Sequence, residues 1–560
     1  MQKYTRNYNK KVTPQSEAIP GRETEMAENY AGGVVFKLDE WQALDRFIIL
    51  GSSLPTYYAS AKTLTKENAK NIEGLIKKDA KRVVDRIVEI SDSGRAPNND
   101  PALFALAMVA GLADEAGKKY ALDNLSKVAR IGTHLFHFAE YVQAFRGWGR
   151  GLRKGLANWY LEKAVDKLAL QVVKYQSRDG WSHRDILRTA HVHPNDNLKN
   201  TIFAWATHGV GGETLDREGK TVKTFPQTIE QVQDVPLIYA FELAKKAENE
   251  DEVVKLIKQY NLPREAVPTQ FMGKKVYEAL LPEMGLTALI RNLGNLSKVG
   301  ILKAGNFDDI NFVVDKITNA ENLRKSRVHP IQLLIALKTY ETGHGMRGRG
   351  EWDVIPQIVD ALDAGFYAAF ANVKPTGKKI LIALDVSGSM SSGGVAGVEN
   401  LSPREGSAAM ALVTMKAEQN WTIIGFTGGG WMSPNQNINN VSVLDLTPRM
   451  RLGDVVRKTS GLPFGGTDCA LPMLWAKAKK LDFDAIFVYT DSETWSGDIH
   501  PTEALAQYER AVGHSVKEVV VGMTATSFSI ADPTKDNQLD VVGFDSSAPQ
   551  IMSDFIAGNL

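Results

Sequence analysis

Residues 379–390 read KILIALDVSGSM. Apolar residues Ile380–Leu384 run without a break into Asp385, and Ser387 and Ser389 follow at alternate positions. A short continuous apolar run of this kind suits a strand buried on both faces, as in a parallel sheet. In open sheets of that class, ligands sit beyond the carboxyl ends of the strands, at the point where the strand order reverses. A carboxylate and two hydroxyls are therefore delivered to the place where such a sheet does its work.

Working outward, WTIIGF, VSVLDL, DAIFVYT and VKEVVVGM are further short runs rich in β-branched residues, separated by helical stretches such as SPREGSAAMALVTMKAE and GTDCALPMLWAKAKK. The first of these helices has Ser402 as N-cap, Pro403 at its first position and Glu405 to close a capping box. Alternating strand and helix predict an α/β doubly wound domain over 376–560, with a linker near GFYAAFANVKPTGKK. Two further loops belong to the same crevice: PFGGTDCALP brings Thr467 just ahead of a helix, and AIFVYTDSETW brings Asp491 to a strand end. Asp385, Ser387, Ser389, Thr467 and Asp491 are then a set of hard oxygen donors without Cys or His, which suits Mg²⁺ or Mn²⁺ and disfavours zinc.

Other chemistries fit less well. A phosphoaspartyl transferase wants a second Asp where Ser387 stands. A nucleophile elbow wants G-x-S-x-G, but Val386 precedes Ser387. No phosphate-cradling G-x-x-x-x-G-K-[ST] occurs. With no His in the three loops to serve as general base, the reading is a binding site rather than an enzyme. The plainer alternative is that the two serines cap a helix and Asp385 is a solvated strand end.

At 560 residues the chain exceeds one core, at about 100–200 residues per domain. Residues 38–372 read as helix after helix: WQALDRFIIL places Trp41, Leu44, Phe47 and Ile48 on one face, NDPALFALAMVAGLA opens with Asp100 as N-cap, and WSHRDILRTAHV pairs Ser182 with Asp185. This predicts an α-solenoid of irregular stacked helix pairs over 1–375, with residues 1–37 as a basic arm; several separate helical bundles are the alternative. Cys469 is the only cysteine, the N-terminus has no apolar core of a signal peptide, and no apolar run approaches the roughly 20 residues of a membrane span. A reducing, cytoplasmic setting fits.

The overall net charge of +1 conceals an asymmetry, −6 from Thr376 onward against +7 before it. Nearly all of the positive excess lies between Gln143 and His193, where the net is +6. Arg146, Arg150, Arg153 and Lys154 recur at helical spacing; Lys174, Arg178, Arg184, Arg188 and His191 follow, with Tyr175 and Trp181 interleaved. Arg184, Arg188 and His191 stand at i, i+4 and i+7, one side of one helix. Cations with stackable aromatics suit phosphates and unstacked bases; the plainer alternative is a solvated face with Trp181 in the core. His134 and His137 have helical spacing but no evident carboxylate or third ligand, so both read as core or partner-face histidines.

The three-loop pattern resembles the metal-ion-dependent adhesion site (MIDAS) of von Willebrand factor A domains, with all five positions matched. WGRGLRKGLANWY, KYQSRDGWSHRDILRTAHVHP, ETGHGMRGRGEW, GGTDCALPMLWA, YTDSETWSGDIHP and SFSIADP resemble the Ro autoantigen family of TROVE-domain proteins, in order along nearly the whole chain. The resemblance implies HEAT-like helical repeats closed into a ring by the von Willebrand A domain. It implies small structured Y RNAs on the outer surface and single-stranded ends of misfolded noncoding RNA in the cavity, for RNA quality control and decay. Lys174 and His191 match family positions implicated in Y RNA binding, and Arg178, Arg184 and Arg188 join them by proximity. Arg150, Arg153 and Lys154 lie in a matching segment. Similarity to bacterial members implies an exoribonuclease partner, and the expected form is a monomer.

Overall fold

The computed structural model describes residues 12–52, 56, 58–194, 196–210, 213–215, 221–224, 228–345, 350–370, 373–395, 401–428, 438–462 and 465–560. Residues 346–349 of the ETGHGMRGRGEW stretch, residues 1–11 of the expected arm and residues 396–400 lie outside these. The chain forms two compact units, one of residues up to 71 with 96–98 and 370–560, the other of residues 72–95 with 99–369. Among the described residues no helix is long and apolar enough to cross a membrane.

The N-terminal elements are strands β1 (Met26–Glu28) and β2 (Val34–Lys37), an antiparallel pair, and helix α1 (Glu40–Leu50). Asp39 and Gln42 form the capping box that starts α1, and Leu44, Phe47 and Ile48 are buried along it while Trp41 is partly exposed.

The second unit is built from helices, as the periodicity predicts. The part that matters for function runs through α2 (Asp100–Leu112), α3 (Gly132–Gln143), α4 (Arg150–Leu161), α5 (Val165–Lys174), the hairpin β3 (Ser177–Arg178) and β4 (Trp181–Ser182), and α6 (His183–Ala190). Two local expectations need correction. Asn99 rather than Asp100 precedes α2; Asp100 is its first residue, and its carboxylate is turned to His137 instead of capping the helix. The linker expected from Gly365 starts later, because a helix over Pro356–Ala368 carries Phe366 into the core.

The C-terminal sheet contains β5 (Lys379–Asp385), β6 (Asn420–Phe426), β7 (Val441–Val443), β8 (Ala485–Thr490), β9 (Lys517–Gly522) and β11 (Gln538–Val542); a short strand β10 (Phe528–Ser529) lies outside it. Its order is β11-β9-β8-β5-β6-β7, parallel throughout except for the antiparallel edge strand β7. Every residue of β8 is buried, as is β5 beyond Lys379, which explains their unbroken apolar sequences. The first strand, β5, lies between β6 and β8, so the winding direction reverses beside it. Asp385 and Asp491 leave the sheet at that reversal. The helix Pro403–Ala417 begins with the predicted capping box of Ser402 and Glu405.

Residues 12–37, expected as a basic arm of the helical part, are instead built into this C-terminal unit. Strand β2 pairs with β10, Lys37 opposite Phe528, and Val35 enters the core beside Leu381, Phe426 and Ile486. Arg22 spends its charge on an ion pair with Asp532 and lies over the Phe36 ring. Backbone pairing and apolar burial here outweigh the solvation that a free basic arm would have.

Candidate metal centre and basic surface

The five predicted oxygen donors come to one buried place. Asp385, Ser387, Ser389, Thr467 and Asp491 are each at most 3% exposed. The Ser387 amide donates to Asp385 Oδ1 at 2.9 Å, and the Ser387 and Ser389 hydroxyl oxygens are 3.0 Å apart. The Thr490 hydroxyl, at the end of β8, donates to Asp385 Oδ2 at 2.7 Å and ties the first loop to the third. The Ser389 hydroxyl supports the Asp491 carboxylate. Burial pushes the Asp385 carboxyl up; burial and then the Asp385 charge push Asp491 up to about 7. Two adjacent desolvated carboxylates call for a compensating cation. The Thr467 hydroxyl oxygen is buried without a hydrogen-bond partner, which is how a waiting ligand atom looks. The donor set here is a mixed carboxylate–hydroxyl one, and among the described residues no group of three or more His, Cys, Asp or Glu side chains is arranged for a metal. Such a set fits a hard divalent cation with retained waters.

The predicted basic residues fall on consecutive elements. Lys174 ends α5, its ammonium 3.9 Å from Glu265 and 5.6 Å from the centre of the Tyr175 ring. The β3–β4 hairpin turns on Asp179 (φ 50°) and Gly180 (φ 83°), an Asp-Gly pair in the left-handed region that the two-residue turn demands. It exposes Arg178, while Trp181 donates to Glu140 Oε2 at 2.8 Å and lies 5.6 Å from the Trp148 ring, centre to centre. Ser182 and Asp185 form the expected capping box, and α6 turns Ile186 and Leu187 inward and Arg184 and Arg188 outward. His191 departs from the predicted row. It is exposed and ends the helix as a left-handed C-cap (φ 51°, ψ 53°), so the helix itself stops at Ala190.

Arg150 and Lys154 are exposed on α4, and Arg153 between them is half-buried with its Nε enclosed and unpartnered. Arg146, expected to extend this row, precedes the helix and donates to the Ala110 carbonyl at 2.7 Å. A cavity of about 490 Å³ beside the hairpin is lined by Gln176, Ser177, Arg184, His208 and Lys245, among others.

The Ro60 vWA-domain family model matches residues 379–556, and the TROVE-domain model matches residues 27–341. The RNA-binding protein RO60 of Deinococcus radiodurans is 40% identical over 551 residues, 98% of each chain. The chain belongs to the Ro60 family. The Caenorhabditis elegans RNA-binding protein RO60 is 34% identical over 617 residues, 98% of this chain and 92% of that one. The crystal structure of the Deinococcus radiodurans Ro (RSR) protein superposes with a TM-score of 0.68, covering 93% of this chain and 100% of the other.

Three contributors in this Ro60-family chain escaped the sequence reading. Thr490 holds Asp385 from a strand 105 residues away. Arg404 is buried and donates to the Val386 and Ser387 carbonyls, so a fixed cation braces the first loop. His137, read as having no carboxylate, has two: Asp100 Oδ1 lies 2.6 Å from Nδ1 and Asp179 Oδ2 lies 2.8 Å from Nε2. The Asp100 hydrogen bond raises its pKa most, which favours the imidazolium, and the Asp179 contact ties the hairpin turn to α3. His183 is the contrasting case: fully buried, pushed down to about 4 by burial, and hydrogen-bonded to the Tyr160 hydroxyl at 2.9 Å, it is a neutral core residue.

Proposed function

We propose that this chain is a non-catalytic RNA-binding protein of a small ribonucleoprotein, acting in RNA quality control and decay. The observation that carries this is the run of cations on α5, the hairpin and α6, with Arg178, Arg184 and Arg188 exposed and Lys174 half-buried, in a chain of a family whose relatives carry the name RNA-binding protein RO60. Lys174, Arg178, Arg184, Arg188 and His191 contact the phosphates of a structured, Y RNA-like ligand, and Arg150, Arg153 and Lys154 extend the footprint. Single-stranded ends of misfolded or decaying RNA are the second ligand, handed to an exoribonuclease, and the protein works as a cytoplasmic monomer. Asp385, Ser387, Ser389, Thr467 and Asp491 would hold Mg²⁺ or Mn²⁺, which would supply a hard Lewis-acidic charge for recognising the carboxylate of a protein partner.

The test is an electrophoretic shift of a structured RNA hairpin by the purified full-length protein. A complex at low salt that weakens steeply as salt rises is expected, with the RNA intact after incubation in Mg²⁺. No complex at low salt would remove the RNA reading and leave a protein-binding scaffold. Cleavage that disappears in Asp385→Ala would make the protein a metal-dependent nuclease.

A further inference from the structure

We infer that the N-terminal segment from Gln15 to Gly33 is a positioning part of the metal centre, with Gln15 as its principal residue. The inference rests on the reading of Asp385, Ser387, Ser389, Thr467 and Asp491 as a divalent-cation site. Gln15 is fully buried, and its side-chain amide is satisfied entirely by the two loops that carry Thr467 and Asp491 and by the chain that follows them. Its Nε2 donates to Asp468 Oδ1 at 2.8 Å and to the Ile499 carbonyl at 2.9 Å. Its Oε1 accepts from the Thr494 hydroxyl at 2.5 Å and from the Gly497 amide at 3.3 Å. Asp468 adjoins Thr467, and Thr494 stands three residues after Asp491. A single side chain thus sets the spacing between the second and third loops.

The rest of the segment reinforces that spacing. The Gln15 amide donates to the Gly497 carbonyl at 2.9 Å. Asn29 Nδ2 donates to the Thr494 carbonyl at 2.9 Å and the Ser492 carbonyl at 3.3 Å, and the Ala31 amide donates to Glu493 Oε2 at 3.1 Å. Gly33 lies so close to the Thr494 carbonyl that a Cβ there would collide with it. The two loops are also laced to each other: Cys469 N donates to the Thr494 hydroxyl at 3.0 Å, and the amides of Trp495 and Ser496 donate to the Thr467 carbonyl at 3.1 and 3.0 Å.

Metal ligands must be held within a fraction of an ångström of their working positions, and the groups that orient them govern affinity. Here that orienting layer for Thr467 and Asp491 comes from residues more than 450 positions earlier in the chain. Because coupling is reciprocal, a segment that strengthens cation binding must itself be held more firmly when the cation is bound.

The experiment uses the full-length protein with Mn²⁺ as probe, its free concentration followed by electron paramagnetic resonance. Amide exchange over residues 13–34 is followed by mass spectrometry with and without Mn²⁺. Gln15→Ala is expected to weaken Mn²⁺ binding by about 10-fold or more. In the wild type, saturating Mn²⁺ is expected to slow exchange across the segment, an effect absent in Asp385→Ala. Unchanged Mn²⁺ affinity in a folded Gln15→Ala protein would overturn the inference. If that variant fails to fold, the wild-type exchange decides: a segment indifferent to saturating Mn²⁺ overturns it equally. A wild type that binds no Mn²⁺ removes the metal reading and this inference with it, whereas Mn²⁺ binding that is blind to the segment removes the inference alone.

Discussion

Arg46→Ala is expected to destabilise the C-terminal unit by about 3–5 kcal/mol, the usual cost of stripping one partner from a buried ion pair. Arg46 on α1 is 1% exposed and meets Asp540 of β11 with one guanidinium nitrogen 2.6 and 2.5 Å from its two carboxylate oxygens. Its other terminal nitrogen donates to the carbonyls of Phe528 at 2.9 Å and Thr526 at 3.3 Å. Truncation leaves a buried carboxylate and these carbonyls without their donor. Gly522 leaves room for the guanidinium, since a Cβ there would stand 2.6 Å from Arg46 Nη2. Urea unfolding followed by tryptophan fluorescence measures the loss. Arg46→Met combined with Asp540→Leu is expected to recover most of it, because an apolar pair of similar size has no charge to desolvate. A single variant as stable as the wild type would contradict this view of how α1 is held.

Glu518→Gln is expected to act in the opposite direction, and by an amount that depends on pH. Glu518 lies on β9 with both carboxylate oxygens buried and unpartnered. Burial first, and then the charges of Asp532 and Glu509, push its carboxyl up to about 8. A folded pKa above the ordinary value near 4.5 means the folded state holds the proton more tightly. That contribution is complete below about pH 4.5 and is lost as the pH rises through about 8. Gln copies the protonated form, so its advantage over Glu is expected to be near zero at pH 4 and to grow to about 3 kcal/mol above pH 8. Each tenfold gain in proton affinity on folding is worth about 1.4 kcal/mol, and the smaller total allows for relaxation around the charge. Thermal unfolding of both proteins from pH 4 to 9 tests this. A difference that does not change with pH would show that Glu518 ionises as readily folded as unfolded.

The features legible in the sequence were those written in local spacing. Continuous apolar strands declared the parallel sheet, and the geometry of such a sheet placed Asp385, Thr467 and Asp491 in one crevice. The capping boxes at Ser182 and Ser402 were readable because both partners lie three residues apart. The docking of residues 12–37 was hidden, since a glutamine that anchors loops more than 450 residues away looks like any polar residue in a tail. His137 was misread for the same reason: Asp100 and Asp179 stand 37 and 42 residues from it. His191 is a different case. Its spacing from Arg184 and Arg188 is helical, but the helix stops at Ala190 and the chain turns left-handed at His191, an ending that no glycine in the sequence announces.

If RNA is held through its phosphates on the α5–hairpin–α6 surface, the decisive measurement is the salt dependence of affinity for a structured RNA, wild type against Lys174→Glu/His191→Glu. Both proteins should give the same circular dichroism spectrum. The double variant is expected to bind at least about 10-fold more weakly near physiological salt, with a slope of log affinity against log salt shallower by about one to two, as lost phosphate contacts require. Equal affinity and an unchanged slope in a folded variant would contradict RNA binding at this surface.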